Sequence, residues 1–127
     1  DPDEAAQFAR DTGVDAMAIS VGNVHLQQDK EGGLDIDRIR EIENVTSVPL
    51  VIHGGSGVPV AQRRALSQDS NVCKFNIGTE LRMAFGQALR EAVNADPSRF
   101  DRVQILKETQ APIVDATRRV LAAFKGA

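Results

Sequence analysis

Short continuous apolar runs in this chain alternate with longer stretches whose apolar residues recur every three or four positions. The runs AMAISVG (16–22), VPLVIHG (48–54) and VCKFNIG (72–78) are bounded by glycine, so they predict strands, the first buried on both faces. The stretches around them predict helices. In DPDEAAQFARDTG, Asp1 is an N-cap, Pro2 fits the first helical position, Asp3 and Glu4 suit the positive end of the dipole, and Gly13 closes the helix. Its expected buried stripe is Ala5, Phe8, Ala9 and Thr12. LDIDRIREIENVT sets Leu34, Ile36, Ile39, Ile42 and Val45 on one face, with Asp35 or Asp37 as cap. VAQRRALSQD follows the second strand. TELRMAFGQALREAV follows the third and offers Leu81, Met83, Ala84, Phe85, Ala88, Leu89 and Val93 to a core. NADPSRF ends it. The tail from Arg102 predicts one or two helices, interrupted near Pro112 and closed by Gly126.

This order is a helix, three strand–helix units and a helical tail, an α/β class with parallel strands and right-handed crossovers. It fits a doubly wound sheet or part of a (β/α)8 barrel. A three-stranded parallel sheet alone would leave both edges open, so the count favours a piece of a larger barrel. No linker divides residues 1–127, which read as one unit. The opening Asp1 fits a processed protein or a piece of a longer one. With 127 residues, net charge −3 and 4% aromatic residues, the chain suggests no nucleic-acid partner. No apolar run approaches the roughly 20 residues that span a bilayer. The single cysteine, Cys73, builds no disulfide framework, which points to the cytoplasm, and its strand position reads as a buried thiol.

The chemistry gathers where strands end. His25 and His53 lie at or just past the ends of the first two strands. Neighbouring strands run about 4.8 Å apart, so two imidazoles there can converge on one metal. Either alone reads equally as a capping or hydrogen-bonding group, and two ligands fall short of the three usual at catalytic zinc. Gly54, Gly55, Ser56 and Gly57 form a turn whose backbone amides can approach an anion, ahead of a helix starting near Pro59; a tight turn alone would also use glycine. After the third strand, Asn76 can meet a ligand hydroxyl and Thr79 stands at a helix N-cap, able to face an anion or simply to cap. Two such turns in succession suit the phosphate site often built late in a barrel.

Three motifs, GNVH, VPLVIHGGSGVP and KFNIGTELRMAF, resemble the C-terminal part of class II, metal-dependent ketose-bisphosphate aldolases, the group of fructose- and tagatose-bisphosphate enzymes. The resemblance covers nearly the whole chain. It implies the C-terminal part of a (β/α)8 TIM barrel, roughly the sixth to eighth strands plus C-terminal helices. It implies that His25 and His53 are two of three ligands to zinc or another divalent metal, and that Gly54, Gly55 and Ser56 bind substrate phosphate. Asn76, Ile77, Gly78 and Thr79 would line the substrate site. The implied reaction is aldol cleavage or condensation of a phosphorylated ketose through a zinc-stabilised enediolate of dihydroxyacetone phosphate. That is a lyase of cytoplasmic carbohydrate metabolism, such as glycolysis, acting as a homo-oligomer, dimer or tetramer. The family's catalytic aspartate and third zinc histidine belong to an N-terminal half that this chain lacks, so no catalytic acid or base is expected here and the fragment alone should be inactive. Leu26 stands where the family has glycine. The alternatives are a phosphate-binding α/β module and an inactive barrel fragment.

Overall fold

Asp1 caps the first helix as its side chain predicts, accepting from the amides of Asp3 (2.9 Å) and Glu4 (3.2 Å). Gly13 ends it in the left-handed region, at φ 63°. This is α1 (Pro2–Thr12) in a computed structural model that describes residues 1–23 and 33–125. Then come β1 (Met17–Ile19), α2 (Ile36–Val45), β2 (Leu50–Ile52), a 3-10 turn (Gly55–Gly57), α3 (Val60–Gln68), β3 (Val72–Phe75), α4 (Thr79–Ala95), α5 (Arg102–Glu108) and α6 (Gln110–Lys125). Asp35, not Asp37, caps α2, accepting from the Arg38 amide at 2.9 Å. Among the described residues no helix is long and apolar enough to cross a membrane.

The chain divides into two compact units, Asp1–Ile77 and Gly78–Ala127. In the first, the strands form a parallel sheet in the order β1-β2-β3. Met17 and Ile19 pair with Leu50 and Ile52, and Leu50 pairs with Val72. These residues face a cluster completed by Ala9 of α1, Ile39 and Ile42 of α2, and Leu66 of α3. Ile39, Leu50 and Ile52 are fully buried, each contributing about 1.5–3 kcal/mol. Arg40 of α2 bridges Glu43 (2.9 Å) and Asp69 (3.1 Å), and Glu43 also accepts from the Asn71 amide at the entry to β3. The Glu43 hydrogen bond first, with the charges of Glu43 and Asp69, holds the Arg40 guanidinium above its ordinary pKa.

Several sequence expectations change. The strands are shorter than the apolar runs, and β1 is buried on one face only, since Ala18 is exposed. Ala18 and Lys74, paired with Val51 on the face away from the helix-covered cluster, are exposed, while Val51 itself is buried. Cys73 is exposed rather than buried. Val72 and Lys74 pair with Leu50 and Val51, so Cys73 is the extra residue of an irregularity at the sheet's edge. In α1 the buried positions are Ala6 and Ala9, while Phe8 is exposed; Val45 of α2 is exposed too.

In the second unit, α4 packs with α5 and α6. Ala88 and Ala92 are the buried residues of α4, whereas Met83, Phe85 and Val93, offered to a core by their spacing, are exposed. The break in the tail falls at Thr109, before Pro112. Pro112 lies in the first turn of α6, where a missing N–H removes no helical bond.

Candidate active site

His53 is the first residue past β2 and is half-buried. Two asparagines from flanking strand ends hold it. Asn23, beyond β1, accepts from the Val21 amide (2.8 Å) and donates through Nδ2 to the His53 carbonyl (3.0 Å). It thereby ties the end of β1 to the end of β2. Asn76, beyond β3, places Nδ2 3.2 Å from His53 Nδ1 and 3.4 Å from Nε2. An atom so nearly equidistant cannot lie in the ring plane without striking the ring carbons. Asn76 therefore sits over the imidazole face. His25, the other expected ligand, lies outside the described residues, as does Leu26. Among the described residues no three His, Cys, Asp or Glu side chains converge in a metal-binding group.

The glycine-rich turn follows at once. Gly54 adopts φ 63°, which reverses the chain after His53. Gly55 lies against β3, its amide donating to the Asn76 carbonyl at 3.0 Å. A Cβ at Gly55 would lie 3.1 Å from both the Asn76 oxygen and Ile77 Cγ1, and 3.3 Å from Phe75 Cβ. That proximity, with the bond from the Asn76 amide to the Ile52 carbonyl (2.8 Å), joins the turn to the end of β3. The Gly57 and Val58 amides donate to Gly54 (3.1 Å) and Gly55 (3.2 Å) carbonyls, closing the 3-10 turn. In a trans peptide the N–H points opposite the C=O. With the Gly55 carbonyl turned inward to Val58, the Ser56 amide points out of the turn. With the His53 carbonyl turned toward Asn23, the Gly54 amide points away from Asn23.

Thus His53, Gly54, Gly55, Ser56, Asn76 and Ile77 are gathered in the first unit. Gly78 and Thr79 open the second. Gly78, not Thr79, is the N-cap residue of α4, so Thr79 is the first helical residue. The Arg82 guanidinium folds back over Gly78, where a Cβ would come within 2.7 Å of it.

Sequence reasoning missed two residues. Asn23 stood within GNVH, where a side chain short enough to bond two residues back is the available signal. Arg63 is fully buried on α3 and donates to the Val58 (2.8 Å) and Ser56 (3.0 Å) carbonyls. Nothing in QRR distinguishes it from the neighbouring Arg64 except helical phase.

Residues 1–127 match the family described as fructose-bisphosphate aldolase class-II. Among solved structures, the chain is similar to the YdjI aldolase from Escherichia coli K12, with TM-score 0.74, 29% identity, and coverage of 98% of this chain and 44% of that one. It also shares its fold with a protein assigned as a fructose-1,6-bisphosphate aldolase from Coccidioides immitis, with TM-score 0.81, 21% identity, and coverage of 97% and 42%. The chain thus spans less than half the length of the solved structures it matches, as the strand count anticipated for a portion of a larger α/β fold. A whole-chain family match, joined to a histidine and a glycine turn at the ends of parallel strands, places this chain in the class II fructose-bisphosphate aldolase family.

Proposed function

We propose that this chain supplies the metal- and phosphate-holding part of an aldolase site acting on a phosphorylated ketose or on dihydroxyacetone phosphate. The carrying observation is His53, fixed at its carbonyl by Asn23 and covered on its ring by Asn76, directly ahead of the Gly54–Gly57 turn. A half-buried imidazole whose backbone and ring face are both restrained is pre-organised to ligate, which suits zinc. His25 is proposed as its companion ligand. A zinc ion held there supplies Lewis acidity toward the ketose carbonyl.

The remaining tasks belong to the chain itself. The outward amides of Gly54 and Ser56 receive the substrate phosphate, and neutral donors fixed before binding cost little reorganisation. Asn76, with its amide over His53, orients a ketose hydroxyl or carbonyl beside the imidazole. Ile77 walls the site beyond it. The proton-transfer group is proposed to lie on another part of the protein. A cytoplasmic setting keeps the exposed Cys73 thiol reduced.

The test is retro-aldol cleavage of fructose 1,6-bisphosphate by the whole protein that contains this chain, read through a coupled assay. Activity should vanish on chelation and return with zinc, and His53→Ala should not regain it. Turnover that survives complete metal removal would end this reading.

A further inference from the structure

We infer that Arg63 is a positioning residue for the anion site, clamping the glycine turn from behind; this rests on the phosphate reading above. Arg63 is 0% exposed, the largest fully buried side chain among the described residues. Its Nε donates to the Val58 carbonyl at 2.8 Å and its Nη2 to the Ser56 carbonyl at 3.0 Å. Both acceptors belong to the turn or its immediate exit. A planar guanidinium can hold two carbonyls at once in fixed directions, and an ammonium cannot reproduce that fork.

The consequence follows from peptide geometry. Pulling the Ser56 carbonyl toward Arg63 fixes the Ser56–Gly57 peptide plane, so the Gly57 N–H must point the other way. That N–H meets the Gly54 carbonyl at 3.1 Å, and the Val58 N–H meets the Gly55 carbonyl at 3.2 Å. The clamp and the two 3-10 bonds therefore lock one another. The Gly55 carbonyl, locked inward, sets the outward direction of the Ser56 amide. Arg63 thus acts on a bound anion through the orientation of amides that it does not itself touch.

A core-filling role alone predicts something different. A residue that only fills space can be replaced by one of similar volume without changing anion affinity. Arg63→Lys and Arg63→Met keep much of the stem and remove the fork, and Arg63→Lys also keeps the charge. The experiment titrates the full chain with inorganic phosphate by 31P NMR at constant ionic strength. Zinc content and amide hydrogen exchange are measured on the same samples. Both variants should bind phosphate at least tenfold more weakly and exchange the Gly57 and Val58 amides faster. Zinc content and the exchange of Leu50–Ile52 should stay at the unmodified level. Unchanged phosphate affinity in a folded variant overturns the role of Arg63 and leaves the phosphate reading standing. Parallel losses of phosphate, zinc and β2 protection overturn it too, because they mark general destabilisation. Failure of the unmodified chain to bind phosphate would overturn the phosphate reading and the inference together.

Discussion

Replacing Asn23 by alanine should loosen the strand ends and the proposed metal site together. Asn23 makes two hydrogen bonds, one from the Val21 amide at 2.8 Å and one to the His53 carbonyl at 3.0 Å. Val21 is 2% exposed, so its amide gains little from water once Asn23 is gone. At about 0.5–1.5 kcal/mol net per hydrogen bond, the loss should be about 1–3 kcal/mol of stability. Asn23→Asp separates the two halves of the effect. It keeps the acceptor for Val21 and sets an oxygen against the His53 carbonyl, so it should spare the β1 side and disturb His53. Urea unfolding of the full chain at fixed zinc gives the stability change, and competition with a chelator gives zinc affinity. Removal of a group that holds a ligand in place typically weakens metal binding by about 10–100-fold. A stability change under about 0.5 kcal/mol, with zinc affinity unaltered, would refute the idea that Asn23 fixes His53.

Three further outcomes are expected. Ile39→Ala should cost about 2–5 kcal/mol in urea unfolding, because Ile39 is wholly enclosed among α1, α2 and the sheet; a smaller loss would mean the cluster relaxes around the gap. Gly54→Ala, at φ 63°, should cost about 1–2 kcal/mol from left-handed strain and weaken inorganic phosphate binding in an NMR titration; wild-type values for both would contradict the turn geometry. Asp96 accepts from the hydroxyl (2.6 Å) and amide (3.0 Å) of Ser98, which hold its carboxyl below the ordinary value. A depressed folded pKa stabilises above the unfolded pKa, and that contribution is lost as pH falls through the folded one. Ser98→Ala should therefore move the Asp96 midpoint upward in a 13C carboxyl titration, and an unmoved midpoint would remove the hydroxyl as a cause.

The parts of the fold legible in the sequence are those governed by local chemistry. Asp1, Pro2 and Gly13 bracket α1, and Asp35 starts α2, because caps and left-handed glycines act within a few residues. Ile39 and Ile42 fall in the core because helical phase places them there, and Leu34 joins them from just ahead of the Asp35 cap. The misreadings arise where a neighbour decides. Cys73 looked buried because an apolar strand position usually is, but a register shift at the sheet edge turns it out. Met83, Phe85 and Val93 have core-like spacing in α4, yet only Ala88 and Ala92 are buried, and spacing cannot say which face meets α5 and α6. Pro112 looked like a break because proline interrupts helix interiors, and it proved to sit in a first turn. At the site, the order of histidine, glycine turn and Asn76 was readable from motifs. The bonds that organise them were not, because Asn23 and Arg63 act across 30 residues and through five to seven residues of folded turn.

The central claim, that His53 is a metal ligand beside an anion-binding turn, is tested most directly by zinc-edge X-ray absorption on the full chain and on its His53→Ala variant. The account predicts imidazole nitrogen scattering at about 2.0–2.1 Å in the unmodified protein and one imidazole fewer, or no bound zinc, in the variant. Zinc bound with an unchanged imidazole shell after His53 is removed would contradict it.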